Sequence, residues 1–246
     1  MEFSFAGYGA LLDLLKTNNY SFSDYHSWHG KEKSVILRHD IDYDLSRAVP
    51  IAKIEHGEGI KSTYFVLTTT DFYNVFSMDN NKLLEEIINL GHEIGLHFDE
   101  ARYPDLYGDV DAIKEKILDE CLVLEKAISC KISTVSMHRP SQAIIEADLK
   151  LPGVVNSYST VFFKTFKYMS DSRRRWRESV EDIIKDKRYD FLHILTHPFW
   201  YCEEEVDIHD AIFRFVNNAS YERYETIGNN ITDICSIMDE SEVLKG

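Results

Sequence analysis

Four stretches of the chain run through apolar residues and stop on a histidine flanked by an acid, an arginine or a proline. They are VILRHDID (35–42), EIGLHFDE (93–100), TVSMHRP (134–140) and FLHILTHP (191–198). An apolar run with β-branched content that ends in a polar cluster reads as a buried strand emerging at one end of a sheet or barrel. In α/β barrels the strand C-termini gather the catalytic side chains. Four strands delivering His, Asp and Arg to one rim would build a metal-assisted hydrolytic site. A chain of 246 residues suffices for one such barrel and is short for two domains. No repeat, low-complexity tract or Pro/Gly-rich linker divides it, so a single domain over 1–246 is expected.

Between these runs the periodicity turns helical, which predicts parallel β/α units. Strands are expected at 34–39, 62–67, 92–97, 134–138, 154–159, 166–170 and 191–197. Helices are expected at 45–57, at 79–90 with Asp79 or Asn80 as its cap, and at 109–129, with 208–240 largely helical. The clearest is 109–129, where Val110, Ile113, Ile117, Cys121, Leu124 and Ile128 recur at three- and four-residue spacings. The result is an α/β fold, a distorted (β/α) barrel of about seven parallel strands.

Charge and targeting signals narrow the function classes. The balance of 27 Lys+Arg against 42 Asp+Glu leaves a formal charge of −15. That argues against duplex DNA and anionic membrane surfaces, which both reward a basic patch. The run RRRWR (173–177) is the local exception. The opening MEFSFAGYGALLDLLK lacks a basic n-region and an unbroken apolar core, and suits a short amphipathic helix instead. No segment approaches the roughly 20 apolar residues of a membrane span. The cysteines Cys121, Cys130, Cys202 and Cys235 show no CxxC spacing, as expected of free thiols in a reducing cytoplasm. A cytoplasmic protein with no nucleic-acid partner and no integral membrane segment is expected.

Side chains alternate faces along a strand, so Asp40 and Asp42 share a side while His39 points the other way. One carboxylate can bind a divalent metal while the other accepts a proton from water that the metal acidifies. Asp44 fits a solvated loop. His97, ending its strand, is a ligand type near Asp42 and His138, although a lone strand-end histidine is more often structural. Arg139 can orient a carboxylate. His197 can protonate a leaving amine; His193, on the same strand, is a weaker candidate. His26, His29, His56 and His209 read as surface residues.

The order of these motifs resembles the polysaccharide deacetylases, the NodB-homology domain of carbohydrate esterase family 4, over about residues 35 to 200. RHDID is similar to the family's first motif, GHEIGLHFDE (91–100) to the second, HRP (138–140) to the third, SDSRRRW (170–176) to the fourth and LTH (195–197) to the fifth. The resemblance implies Asp40 as base, Asp42 and His97 as metal ligands, and Arg139 against the catalytic Asp. It further implies Asp171 and Trp176 shaping the pocket, and His197 as general acid. Two departures stand out. An extra residue separates the acids of the first motif, and Ala101 occupies the position of the second metal histidine, four residues after His97. Catalytic zinc normally keeps three protein ligands. His138 is the preferred substitute, with Asp99 and Glu100 next.

The resemblance implies a metal-dependent hydrolase, with zinc, cobalt or nickel, removing an N-acetyl or N-formyl group from a sugar. A nucleotide-sugar or lipid-linked intermediate of surface-polysaccharide (O-antigen) synthesis is the expected substrate, its diphosphate met by Arg173, Arg174, Arg175 and Arg177. Those arginines equally suit a solvated basic strip. Trp176, Tyr201 and Phe199 suit an aromatic wall for the sugar, or ordinary core packing. Ala101 motivates a second reading, a degenerate deacetylase fold that binds a glycan or partner without catalysis. A hydrolase of a small non-sugar amide on the same barrel is a third.

Overall fold

Strand β2 (Ser34–Ile41) is buried along its whole length, which requires a covered layer on each side of it. The computed structural model describes residues 1–243 and supplies both layers. One edge of β2 pairs with β8 (Phe191–Thr196). The other pairs first with β1 (Ser21–Ser23) and then with β3 (Thr63–Val66). Beyond β3 follow β4 (Glu93–Asp99), β5 (Thr134–His138) and β6 (Val155–Asn156), and beyond β8 lies β7 (Lys167–Ser170). The seven-strand path is β6-β5-β4-β3-β2-β8-β7, every pairing is parallel, and β6 and β7 are its open edges. This is a half-barrel, the distorted (β/α) barrel expected.

The helices cover the outer face. They are α1 (Phe5–Thr17), α2 (Ala48–Gly57), α3 (Met78–Asn89) and α4 (Val110–Ile128), then the short α5 (Gln142–Glu146) and, after α6 (Val161–Lys164), which packs on the inner side through Phe162, α7 (Val180–Asp186). Val35, Leu37, Tyr64, Val66, Leu96, Val135 and Ile194 point outward and join Leu12, Leu15, Ile51, Leu84, Ile117 and Leu124 in the main core. Helix α3 starts at Met78 with Ser77 before it and no side-chain cap, where Asp79 or Asn80 was expected. Strand β6 is two residues long rather than 154–159, because Asn156 Oδ1 turns back to accept the Tyr158 N–H at 2.9 Å. Strand β1 and helix α7 were not read from the sequence.

The inner face is partly polar. Ile36, Phe65, Phe162, Phe166 and Tyr25 form a small second core inside the half-barrel. Above it, toward the strand C-termini, the same face carries Arg38, Asp40, His97 and Ser136, all buried. Gly95 makes this layer possible: a Cβ there would lie 2.6 Å from Phe65 Cε1 and 2.9 Å from the Thr134 carbonyl oxygen.

The chain divides into two compact units, Met1–Glu203 and a second from Glu204 onward. In the second, α8 (Ile208–Gly228) starts at the Asp207 cap and α9 (Ile234–Ile237) follows. Tyr224 donates to the Met238 carbonyl at 2.9 Å. Among the described residues no helix is long and apolar enough to cross a membrane.

Candidate metal and hydrolytic site

The site begins with strand parity. Arg38 and Asp40 are two residues apart on β2 and share its inner face. Arg38 Nε donates to Asp40 Oδ1 at 2.8 Å and Nη2 to Oδ2 at 2.7 Å, a bidentate pair. Nη2 also donates to Ser136 Oγ on β5, and the guanidinium lies 5.2 Å from the Phe65 ring and 5.0 Å from Tyr158. Burial would raise the Asp40 carboxyl, but the Arg38 charge, and then His97, holds it well below the usual carboxylate range.

One residue beyond the end of β2, Asp42 meets two histidines. His97 Nε2 is 3.4 Å from Asp42 Oδ1, and His138 Nδ1 is 3.4 Å from the same oxygen. The two ring nitrogens are 3.2 Å apart. This triangle is nearly equilateral. A tetrahedral ion with metal–ligand bonds of about 2.0 Å has ligand–ligand edges of about 3.3 Å. Asp42 Oδ1 is buried and accepts no hydrogen bond. Imidazole lone pairs and a carboxylate repel at this range unless a proton or cation lies between them, so the donor set fits a divalent metal. Burial, then the neighbouring His97 charge, lowers the His138 pKa and favours the neutral, ligating form.

His197 approaches from the end of β8. Its Nδ1 is 2.6 Å from Asp171 Oδ1, and its backbone N–H donates to both Asp171 oxygens at 3.1 Å. Tyr201 O–H donates to Asp171 Oδ2, also at 3.1 Å. Asp171 is fully buried, so this clamp fixes the imidazole with Nδ1 protonated and Nε2 toward the site, 3.8 Å from Asp42 Oδ2. Burial pulls the His197 pKa down, but the Asp171 carboxylate outweighs it and pushes the group up to about 9.

Asp40, Asp42, His97, His138, His197 and Asp171 therefore converge on one rim. Arg139 does not join them: it has φ +53°, its side chain is 64% exposed, and Nη2 donates to Asp99 Oδ2 at 2.5 Å. Glu100 accepts from Ser141 N and Oγ at 2.7 and 2.9 Å, so neither it nor Asp99 is spare for a metal. Ala101 sits exposed in the short turn Glu100–Arg102. His39 faces outward, as alternation requires, bonded to Glu55 at 2.9 Å and Thr196 at 2.7 Å. His193 lies inside the half-barrel against Tyr25 O–H at 2.7 Å.

Two groups of residues escaped the sequence reading. Arg38 was the first, although a charge two residues before Asp40 inside an apolar run is a readable signal. The rim aromatics Tyr43 and Phe72 were the second. Of the aromatics that were expected, Tyr201 is buried on Asp171 as core packing, whereas Phe199 packs on Tyr43 (5.0 Å between ring centroids) and Tyr43 on Phe72 (5.2 Å).

No family model and no curated protein matches the chain. A carbohydrate esterase of family 4 from Streptococcus mutans superposes with a TM-score of 0.50 at 16% identity, over 74% of this chain and 82% of that one. The fold is that of the family 4 carbohydrate esterases. Two further structures with this family 4 fold are more distant. A pseudoenzyme from Bacillus anthracis has a TM-score of 0.47 and 15% identity, covering 79% of this chain and 63% of that one. An acetyl xylan esterase from Clostridium thermocellum, in complex with a cobalt ion, has a TM-score of 0.42 and 15% identity, covering 82% and 90%. The chain spans 58% to 63% of the length of the Bacillus anthracis pseudoenzyme structures it matches.

Proposed function

We propose that this chain is a metal-dependent hydrolase that removes an acetyl or formyl group from the nitrogen of an amino sugar. The observation that carries the reading is the triangle of Asp42, His97 and His138, whose ligand atoms all lie within 4.8 Å of one another around an unsatisfied carboxylate oxygen. A divalent ion held there, zinc in the first instance and cobalt or nickel next, would supply a Lewis acid that acidifies water and polarises an acyl carbonyl.

The chain's own residues supply the proton transfers. Asp40 Oδ2, 3.4 Å from His97 Nε2, takes a proton from the attacking water. His197, kept protonated by Asp171, gives one from Nε2 to the departing nitrogen as the C–N bond breaks. The aromatic rim of Tyr43, Phe72 and Phe199 borders Asp42 and offers a face to a sugar ring. Arg173, Arg175 and Arg177 follow Asp171, are exposed and have no acidic partner among the described residues. They favour a substrate carrying phosphate, such as a nucleotide- or lipid-linked amino sugar.

Equilibrium dialysis against zinc and acyl release from N-acyl amino sugars, free and nucleotide-linked, test the reading together. Wild-type protein is expected to hold one zinc, with Asp42→Ala and His97→Ala losing it, and to release acetate or formate. Ala101 favours a second reading, a glycan-binding protein without catalysis. Glycan binding with neither zinc nor acyl release would select it.

A further inference from the structure

We propose that Arg38, rather than Arg139, is the positioning residue for Asp40 in acyl hydrolysis; this rests on the function proposed above. A carboxylate that accepts a proton in the transition state must present one oxygen at a fixed angle to the attacking water. A buried aspartate carboxylate, free to turn about its Cα–Cβ and Cβ–Cγ bonds, needs an outside constraint for that. Arg38 supplies one in the plane of the carboxylate, because Nε and Nη2 engage the two oxygens separately at 2.8 and 2.7 Å.

Arg38 is itself over-determined. Its Cα is on the same strand and face as Asp40, its Nη2 is tied to Ser136 across the half-barrel, and its guanidinium lies against the Phe65 and Tyr158 rings at 5.2 and 5.0 Å. Its relative exposure is 0%. The guanidinium remains protonated throughout, so no bond is made or broken at Arg38; it acts only through Asp40.

Arg139 has the opposite character. It follows His138 on β5, where the resemblance assigns an arginine to the catalytic carboxylate, yet its left-handed backbone turns the side chain out to Asp99. Asp99 also caps the turn at Ala101 and lies 3.9 Å from Arg102 Nε, and Arg102 reaches Asp71 at 2.5 Å. The chain Asp71–Arg102–Asp99–Arg139 fastens the loop after β3, which carries Phe72, to the loop after β4. Arg139 thus braces the mouth of the site.

The test compares zinc-loaded wild type with Arg38→Ala, Arg38→Lys and Arg139→Ala. The readouts are zinc affinity, kcat and KM for acyl release from an N-acetylated amino sugar, and the response to added guanidinium. Arg38→Ala is expected to lower kcat by about 100-fold, the scale of one proton-transfer catalyst, with KM changed far less. Guanidinium should restore at least part of the lost kcat in Arg38→Ala and nothing in Arg139→Ala. Arg38→Lys should recover less, since an ammonium cannot grip both oxygens. The proposal is overturned if Arg139→Ala loses more kcat than Arg38→Ala, or if guanidinium leaves Arg38→Ala unchanged. Should wild type bind zinc but release no acyl group, the functional reading fails on its own. A double-mutant cycle of urea unfolding then decides: coupling of position 38 to position 40 supports the positioning role, and coupling of 139 to 40 in its place removes it.

Discussion

Asp171 shows how much one buried side chain can decide. It accepts from His197 Nδ1, from the His197 backbone N–H and from Tyr201. In Asp171→Asn the amide can donate to Nδ1, which selects the wrong imidazole tautomer and removes the charge that keeps His197 protonated. The expected result is a loss of kcat on the order of 100-fold or more with zinc affinity nearly unchanged, read by acyl release and competition titration. Equal rates in the two proteins would exclude His197 as the acid. His193 is a separate case. Burial, and then the Arg38 guanidinium, push its pKa down to about 3. The unfolded chain, at about 6.5, binds the proton first as pH falls, so His193 subtracts about 1.4 kcal/mol of stability per pH unit between about 6.5 and 3. His193→Gln is therefore expected to flatten the fall of the urea midpoint between pH 7 and 5; an unchanged slope would refute this. These residues were unequally legible. Asp40, Asp42, His97 and His197 announced themselves by ending apolar runs. The Tyr201–Asp171 bond spans 30 residues with no local signature, so nothing in the sequence decided for Tyr201 between a sugar wall and the core packing that it has. Arg38 was absorbed into the polar cluster at the end of its strand, although i and i+2 alternation put it beside Asp40.

Strands β2, β4, β5 and β8 are where pattern and structure agree best, because each is an apolar run long enough to span a layer and stop. Their helical partners were equally plain: Ile113, Ile117, Cys121, Leu124 and Ile128 of α4 are buried at the spacing that suggested the helix. Elements held by tertiary pairing alone were not legible. Strand β1 is three residues, Ser21–Ser23, ordered by its register with Ser34–Ile36. Helix α7 has only seven residues, too few for periodicity to show. The GHEIG segment carries more than a motif. At Gly95 the Thr134 carbonyl belongs to a paired neighbouring strand and cannot yield, so an added methyl must displace the Phe65 ring that lies against Arg38. Gly95→Ala is expected to destabilise by about 1–3 kcal/mol, as overpacked cores do. In a Phe65→Leu background the same substitution should cost less. Additive effects in urea unfolding would show that the ring is not what the methyl strikes.

Across the whole molecule, parallel order does what no single element can. The path β6-β5-β4-β3-β2-β8-β7 places the C-terminal ends of β2, β4, β5 and β8 on one rim, so residues 40, 97, 138 and 197 meet although scattered along the chain. The unfolded chain has no such cluster, so a metal that binds there must stabilise the fold. At free zinc one hundred times the dissociation constant the gain is about 2.7 kcal/mol. For a chain of this size that raises the melting temperature by roughly 5–10 °C. Because the chain has two compact units, the shift should attach to the calorimetric transition of Met1–Glu203 and not to any separate transition of the residues that follow. It should vanish in Asp42→Ala and shrink in His138→Ala, since Ala101 leaves no second histidine to take over. The second unit provides an internal control, for Asp207, His209 and Asp210 also place ligand atoms within 4.8 Å, but largely in solvent. A zinc-induced shift that survives Asp42→Ala and disappears in His209→Ala would move the metal to that surface cluster and detach it from Asp40 and His197.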